Sequence, residues 1–197
     1  MPFRIAIASD HAGFPLKKLL AEELVKAGHT VTDFGCASEA AADVSDHVAP
    51  AAIELGAGRF DRALFIDGAG YPSGIVANMI HGVFAAVCND PVSAKLAREH
   101  GGANALCVGA MIVGQATARE IVRVFLEAQP LPGKYADRRA KVAALGAAHR
   151  LGPLHRPRQV VTVEDLRQAI INREPLILDE KTVITPSVVD AVRSMRA

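Results

Sequence analysis

Short apolar runs rich in branched residues alternate along the chain with longer stretches whose apolar residues recur every three or four positions. The short runs predict buried strands, and the longer stretches predict amphipathic helices. The predicted strands are residues 4–7, 30–34, 63–66, 83–87 and 106–108, and the predicted helices are residues 15–27, 46–56, 73–80, 91–99 and 115–127. Strands this apolar, separated by helices, are typical of a parallel sheet that is buried on both faces. The pattern therefore predicts an α/β fold of three layers, a doubly wound, Rossmann-like domain around a five-stranded parallel sheet.

The alternation stops after the fifth helix. The segment QPLPG at 129–133 interrupts it, and a basic helix is predicted from Tyr135 to Ala148. We expect the domain to cover residues 1–150, followed by a linker at 151–157 and a small α/β C-terminal extension at 158–197. The elements predicted inside the extension are a strand at 160–161, a helix capped by Thr162, a strand at 176–178 and a helix that begins at Thr185.

Composition and charge exclude several classes of protein. Of the 197 residues, 50% are apolar and 22% are charged, as in ordinary globular domains, and the formal net charge at pH 7 is only +1. This charge balance and the absence of Trp give no reason to expect binding to nucleic acid. No apolar stretch approaches the ~20 residues of a membrane span, and the apolar run near the N-terminus is too short for a signal peptide. We expect a cytoplasmic protein with no nucleic-acid and no membrane partner.

The segment DGAGYPSG at 67–74 follows a predicted strand and precedes a predicted helix. Gly68, Gly70 and Gly74 allow the backbone to turn sharply and to approach a ligand. Amide groups at a helix start bind anions and developing oxyanions. A plain tight turn has the same composition, so both interpretations stay open. The segment matches neither GxGxxG nor the P-loop, and the chain contains no GK[ST], which argues against an ordinary nucleotide hydrolase.

Two further segments place reactive side chains at the ends of elements. Asp10 and His11 follow the first predicted strand, at the edge of the sheet where this fold class binds ligands. A helix cap and a surface imidazole would produce the same pair. His100 ends the fourth predicted helix, where a histidine also interacts favourably with the helix dipole. The cysteines and histidines show neither metal-ligand nor disulfide-framework spacing, and no cofactor is expected.

Three segments together resemble one family. They are SDHAGFPLK at 9–17, IVAN at 75–78 and NDPVSAKLAREHGGAN at 89–104. The family is that of ribose-5-phosphate isomerase B and galactose-6-phosphate isomerase, and the resemblance covers about residues 3–149. It implies cofactor-free aldose–ketose isomerisation of a sugar phosphate through a cis-enediolate. It also implies a homodimer or homotetramer whose sites are shared between subunits.

The resemblance also assigns roles to individual residues. It implies that Asp10 moves hydroxyl protons, that His11 contacts the substrate and that His100 helps to open a sugar ring. Asn78 would hold the enediolate together with loop amides, and the segment GKYADRR at 133–139 would reach the phosphate. The substrate-binding residues implied in this way are Asp10, His11, Gly68, Gly70, Tyr71, Ser73, Gly74, Asn78, Lys134, Tyr135 and Arg138.

The chain departs from the family pattern where the base is expected. The usual base is a cysteine at the first position of the glycine loop, which here is Asp67, and some members use a glutamate at the position of Ser73. We predict that Asp67 takes the place of the cysteine as the base. Ala69 lacks the hydroxyl that assists ring opening. A short sugar phosphate that cannot close a ring, such as a tetrose or tetrulose phosphate, is therefore the predicted substrate.

Two alternatives remain open. An aspartate at position 67 also occurs in LacA-type subunits, so the chain is alternatively a non-catalytic subunit that assembles with a paralogous isomerase. It is also compatible with a module that only binds a sugar phosphate. The extension at 158–197 loosely resembles terminal segments of enzymes in bacterial microcompartments, and a small cap packed on the core or on a neighbouring subunit is its simpler interpretation.

Overall fold

The structure is a computed structural model that describes residues 2–148, 160–161, 183–184 and 192. The chain divides into two compact units, Met1–Gly146 and Ala147–Ala197. The elements of the first unit are β1 (Arg4–Ser9), α1 (Phe14–Lys26), β2 (Thr30–Asp33), α2 (Val44–Gly56), β3 (Arg62–Asp67), α3 (Tyr71–Asn78), β4 (Ala85–Val87), α4 (Pro91–Glu99), β5 (Ala105–Gly109), α5 (Gln115–Glu127) and α6 (Lys134–Ala148). Within the part of the chain that is described, no helix is long and apolar enough to cross a membrane. The cytoplasmic location stays a prediction.

The five strands form one parallel sheet in the order β2-β1-β3-β5-β4. Alternate side chains of the strands enter two separate cores. Ile5 and Ile7 pack with α1, α4 and α5 on one face, and Ala6 and Ala8 pack with α2 and α3 on the other. Burial on both faces explains why the inner strands β1, β3 and β5 are almost continuously apolar. The predicted three-layer, doubly wound α/β fold is confirmed.

Local contacts move some element boundaries away from their predicted positions. Helix α3 begins at Tyr71 rather than at residue 73, directly after Gly70, whose φ of 82° is in the left-handed region. Strand β4 is shorter than predicted, because Val83 donates to the Ile80 carbonyl in a turn that follows α3. Helix α2 begins two residues early, at Val44, after the Asp43 carboxylate caps it.

The second unit is described over two short strands. Val160–Val161 forms β6 and pairs in parallel with Val183–Ile184, which forms β7. Strand β6 coincides with the predicted strand, whereas β7 was not predicted. The predicted linker at 151–157, the strand at 176–178 and the starts of the helices at Thr162 and Thr185 lie outside the described residues.

A buried lysine connects α1 to the end of β2. The Lys17 side chain is 1% exposed, and its Nζ donates to both carboxylate oxygens of Asp33 at 2.7 and 2.8 Å and to the Cys36 carbonyl at 2.6 Å. Cys36 in turn donates its N–H to the Ser9 carbonyl at the end of β1. All three protons of the ammonium group are therefore used in positioning the loop after β2 against β1.

Replacing this lysine tests the connection. Lys17→Met keeps the length of the buried side chain but leaves the buried Cys36 carbonyl without its donor. We expect the free energy of unfolding to fall by about 1–3 kcal/mol, since Asp33 is half exposed and water replaces its partner. Urea unfolding of Lys17→Met and of Lys18→Met, its exposed neighbour, measures the difference. Equal stabilities of the two variants would contradict a structural role for Lys17.

Candidate active site

Two loops lie side by side at the carboxyl edge of the sheet, where the strand order reverses between β1 and β3. Asp10 and His11 directly follow β1, and Asp67 ends β3. The Asp10 N–H donates to the Ile66 carbonyl at 3.3 Å, which ties the first loop to the neighbouring strand. In open α/β sheets this position is where ligands bind. The structure therefore brings two of the predicted carboxylates to adjacent strand ends.

The first loop holds Asp10 by one oxygen. Its Oδ1 accepts the Gly13 N–H at 2.8 Å, and among the described residues its Oδ2 accepts no hydrogen bond. The loop packs so closely on β3 that a Cβ at Gly13 would lie 2.1 Å from the Ile66 carbonyl oxygen. His11 is exposed, and its Nδ1 lies 3.2 Å from the carbonyl oxygen of Ala42. Asp10 is half-buried and keeps one oxygen at the edge of the sheet.

Asp67 has a different environment, because its carboxylate is turned into its own loop. The side chain is 1% exposed. Its Oδ1 accepts the N–H groups of Ala69 at 2.8 Å and Gly70 at 2.6 Å. Its Oδ2 accepts the Ser73 N–H at 2.9 Å and also the Ser73 hydroxyl. These four donors make Asp67 a cap of the turn and of the first turn of α3. A role as the base remains a prediction, and it would require Asp67 to leave hydrogen bonds that the structure shows.

Three of the amide groups around the start of α3 are consequently in use. Asp67 takes those of Ala69, Gly70 and Ser73. Pro72 has no N–H, and Gly74 donates to the Gly70 carbonyl at 3.3 Å. From the sequence, an anion-binding loop and a plain tight turn were both open, and the structure directs three of these amides to a carboxylate of the same chain.

The remaining residues of the glycine loop are exposed at the carboxyl edge of the sheet or pack the loop against neighbouring strands. The Gly68 carbonyl accepts the N–H of Met111, which joins the loop to the one after β5. Tyr71 is exposed at the first position of α3. Gly74 is buried, and a Cβ there would lie 2.8 Å from a methyl group of Val87.

The neighbouring thiols do not replace the missing cysteine. Cys107 on β5 is buried, and burial raises the pKa of its thiol to about 12. Burial also raises the pKa of Cys88. Both thiols are protonated at neutral pH, and neither supplies a thiolate base.

A second group of predicted residues lies at the opposite edge of the sheet. Helix α4 joins two parallel strands and therefore runs antiparallel to them, so its nine residues carry the chain back by about 13 Å. His100 follows at its C-terminus and stacks on Tyr135, with ring centroids 4.1 Å apart and planes 9° apart. The Lys134 Nζ and the Arg138 guanidinium lie 5.2 and 5.7 Å from the centroid of the Tyr135 ring. His100, Lys134, Tyr135 and Arg138 form a basic group at this edge.

Arg139 anchors the basic group and was not singled out from the sequence. Its guanidinium donates to the Leu131 carbonyl at 2.9 Å and to the Glu99 carbonyl at 3.3 Å, which fastens α6 to the end of α4. The sequence did contain a signal for Arg139. Consecutive residues of a helix point in different directions, so the arginine pair at 138–139 indicates that only one of the two faces a ligand. Arg138 is exposed, and Arg139 faces the body of the domain.

Asn78 also lies at the amino edge. It ends α3, and its amide side chain pairs with the backbone of Ala85, accepting from N–H at 2.9 Å and donating to the carbonyl at 3.0 Å. Both polar groups of the side chain therefore position the start of β4. Its implied contact with the enediolate is not supported by this geometry and stays a prediction.

The two edges differ in charge. The loops that follow the five strands contain no lysine or arginine, and their acidic residues and histidines are Asp10, His11, Glu39, Asp43 and Asp90. The cations of the predicted site, Lys134 and Arg138, are at the amino edge with His100. Within one chain, the acids predicted to move protons and the cations predicted to bind the phosphate thus lie at opposite edges of the sheet. In the described part of the chain, no three or more His, Cys, Asp or Glu side chains are grouped so that they could hold a metal ion.

Comparisons with known proteins agree with this architecture. A family model described as Ribose/Galactose Isomerase matches residues 5–142. The chain is 34% identical over 142 residues to ribose-5-phosphate isomerase B of Escherichia coli (strain K12), covering 72% of this chain and 95% of that protein. It is 33% identical over 126 residues to D-erythrulose-4-phosphate isomerase of Pectobacterium atrosepticum, covering 64% of this chain and 83% of that protein. The solved structure of ribose-5-phosphate isomerase B from Mycoplasma genitalium with bound ribulose-5-phosphate superposes with a TM-score of 0.71 at 33% identity, covering 75% of this chain and 98% of that chain.

Proposed function

The chain belongs to the ribose/galactose isomerase family and is a sugar-phosphate isomerase, and from that premise we propose that it interconverts the aldose and ketose forms of a short sugar phosphate. The reaction proceeds through a cis-enediolate and uses no cofactor. The observation that carries this proposal is the pair of carboxylates, Asp10 and Asp67, at the adjacent ends of β1 and β3.

Carboxylates at this position suit the chemistry of isomerisation. A base takes the proton from the carbon next to the carbonyl, the carbonyl becomes an enediolate, and the proton returns to the neighbouring carbon. A partly buried carboxylate at the sheet edge serves both steps without a metal or an oxidant. Asp10 and Asp67 are the acids that the fold places at this edge next to one another.

The residues of the loop favour a short substrate. Ala69, in the loop that follows β3, offers no hydroxyl to help open a sugar ring. A four-carbon sugar whose terminal oxygen carries phosphate cannot close a five-membered ring and needs no such help. The name of the Pectobacterium atrosepticum relative, D-erythrulose-4-phosphate isomerase, supports a four-carbon ketose phosphate as the substrate.

The charge distribution supports a site completed by a second copy of the chain. A phosphate dianion binds to cationic donors, and the carboxyl-edge loops contain none except His11. The basic group at the amino edge has the complementary charge. We therefore propose a homodimer or homotetramer in which the basic group of one copy faces the carboxyl edge of another.

An exposed apolar surface offers the place for that contact. The exposed side chains Tyr71 and Ile75 on α3 and Met79, which directly follows α3, recur every four residues, and Val92 and Leu96 do so on α4. Helix α3 also contacts β4, an edge strand of the sheet. An apolar face next to an open sheet edge is typical of a contact between copies of one chain.

A second candidate function rests on the closed environment of Asp67. If this carboxylate never leaves its loop, the chain can act as a subunit that binds substrate and completes the site of a paralogous isomerase. This interpretation predicts binding without turnover by the chain alone, and turnover when the paralogue is added.

Exchange of the carbon-bound proton in heavy water, followed by NMR, tests both candidates. We expect exchange with tetrose and tetrulose phosphates. Exchange with ribose 5-phosphate should be slower by roughly 10²-fold or more, because acid–base assistance of a step contributes roughly 10²–10⁴ in rate. Fast turnover of ribose 5-phosphate with none of tetrulose phosphate would contradict the proposed substrate. Binding without exchange across aldose and ketose phosphates of four to six carbons would favour the second candidate.

A further inference from the structure

The Asp67 carboxylate lies where three N–H groups and one hydroxyl converge. The donors come from Ala69, Gly70 and Ser73, at the last turn before α3 and within its first turn. Backbone N–H groups that converge at a helix start form the cradle in which proteins bind phosphate and other anions. In this chain the anion in the cradle is a side chain of the loop itself.

We propose that Asp67 is a tethered anion that fills this cradle and positions the glycine loop, and that Asp10 is the group that moves the carbon-bound proton. The second half of this proposal rests on the proposed isomerase function, whereas the first half does not. Asp67 is accordingly a positioning residue, and Asp10 is the catalytic one.

The hydrogen bonds decide between the two carboxylates. An ionised carboxylate offers about four lone-pair positions, and four donors occupy those of Asp67. To take a proton from carbon, Asp67 would have to release a donor that the surrounding loop buries. Asp10 accepts one N–H, from Gly13, through Oδ1. Its Oδ2 needs no rearrangement to approach a substrate.

Asp10 at the end of β1 lies at the same carboxyl edge of the sheet as Asp67 at the end of β3, so assigning the base to Asp10 keeps it in the same part of the site. Adjacent strands are about 4.8 Å apart, and the Asp10 N–H is bonded to the residue before Asp67. Oδ2 of Asp10 would form the O–H bond as the substrate C–H bond breaks, and its electron pair would pass into the enediolate. The hydroxyl proton passes directly from one enediolate oxygen to the other. Return of the carbon-bound proton to the neighbouring carbon then regenerates the Asp10 carboxylate, and the balance needs no other reactant.

The proposal also changes what stabilises the enediolate. Three of the amides expected to hold it bind Asp67 instead, so its charge has to be met by other donors. The basic group at the amino edge of a second copy is the source of such donors in the proposed assembly.

Removing the tethered carboxylate tests the cradle without measuring activity. Asp67→Ala leaves three backbone donors unpaired, and we expect added sulfate to occupy them. The melting temperature of Asp67→Ala should rise by about 2–4 °C more with sulfate than with sodium chloride of equal ionic strength. Wild type should show no such difference. If Asp67→Ala does not fold, Asp67→Asn serves instead, since its carbonyl oxygen still accepts from two amides, and a smaller sulfate effect is expected.

Asp90 provides a matched control. It caps α4 at the same edge of the sheet, is exposed and accepts the Ser93 N–H at 2.8 Å. Asp90→Ala should lose stability through its missing cap but should gain nothing specific from sulfate. A sulfate effect no larger in the Asp67 variant than in Asp90→Ala would overturn the tethered-anion assignment.

Sulfate rescue of proton exchange tests the second half. Sulfate is too weak a base to take a carbon-bound proton, so it restores exchange in Asp67→Ala only if Asp67 acts by ordering the loop. We expect sulfate to restore the maximal exchange rate of Asp67→Ala severalfold and to leave Asp10→Asn unchanged. Loss of exchange in Asp67→Ala without rescue, with exchange retained in Asp10→Asn, would overturn the assignment of Asp10. If wild type exchanges no sugar phosphate, the proposed function fails, and the melting experiment still decides the cradle.

Discussion

Asp10→Asn is expected to lower the rate of proton exchange by roughly 10²–10⁴-fold, the range that a general base contributes. The substitution is nearly isosteric, and the asparagine oxygen can still accept the Gly13 N–H that Oδ1 accepts in the wild type. The turn after β1 should therefore persist, and the melting temperature should change little. The substitution replaces Oδ2 of Asp10, the oxygen that accepts the proton, with an amide nitrogen that cannot act as a base. NMR measurement of exchange at saturating substrate separates this loss from a loss of binding.

The control for this variant is Asp90→Asn. Asp90 is another exposed acid at the carboxyl edge, and an asparagine also caps a helix. Its exchange rate should stay within about threefold of wild type, as for surface substitutions away from a site. A near-wild-type rate in Asp10→Asn would return the base to Asp67, as the sequence analysis predicted.

Two inactive variants are expected to restore activity to each other when their subunits mix. One is Asp10→Asn, changed at the carboxyl edge, and the other carries Lys134→Ala and Arg138→Ala, changed at the amino edge. Losing both cations should lower activity by roughly 10²-fold or more, because two charge-assisted contacts to phosphate disappear. Random mixing makes half of the dimers mixed, and each mixed dimer has one intact site of two. About a quarter of wild-type activity should therefore return.

The control for mixing is a chain that carries all three substitutions. Mixed with Asp10→Asn, it leaves every carboxyl edge without Asp10, and no activity should return. Differently tagged subunits verify by co-purification that mixed oligomers form. Mixed oligomers of the two inactive variants that remain inactive would show that each site belongs to one chain, against the proposed assembly.

The fold was predictable because its signals are local. Branched apolar runs such as residues 4–7 belong to strands that are buried on both faces, and the helices between them show a repeat of three to four residues. The predicted starts of α2 and α3 were wrong because a single side chain or dihedral angle fixes where each helix begins, the Asp43 cap for α2 and the positive φ of Gly70 for α3. Such contacts leave little trace in a hydrophobic pattern.

The sequence by itself determined that the five strands of the first unit run parallel, and hence that Asp10 and the glycine loop share the carboxyl edge. Their order in the sheet came from the structure. With the family resemblance, the sequence also predicted which residues bind the substrate. Only the tertiary structure decided where the side chains point. Asp67 turns inward because three amides and a hydroxyl reach it across the turn, and Lys17 finds its partners on another strand and loop. The separation of the acids from the basic group follows from α4, which runs the length of the sheet. These outcomes depend on distances between elements, which spacing along the chain does not contain.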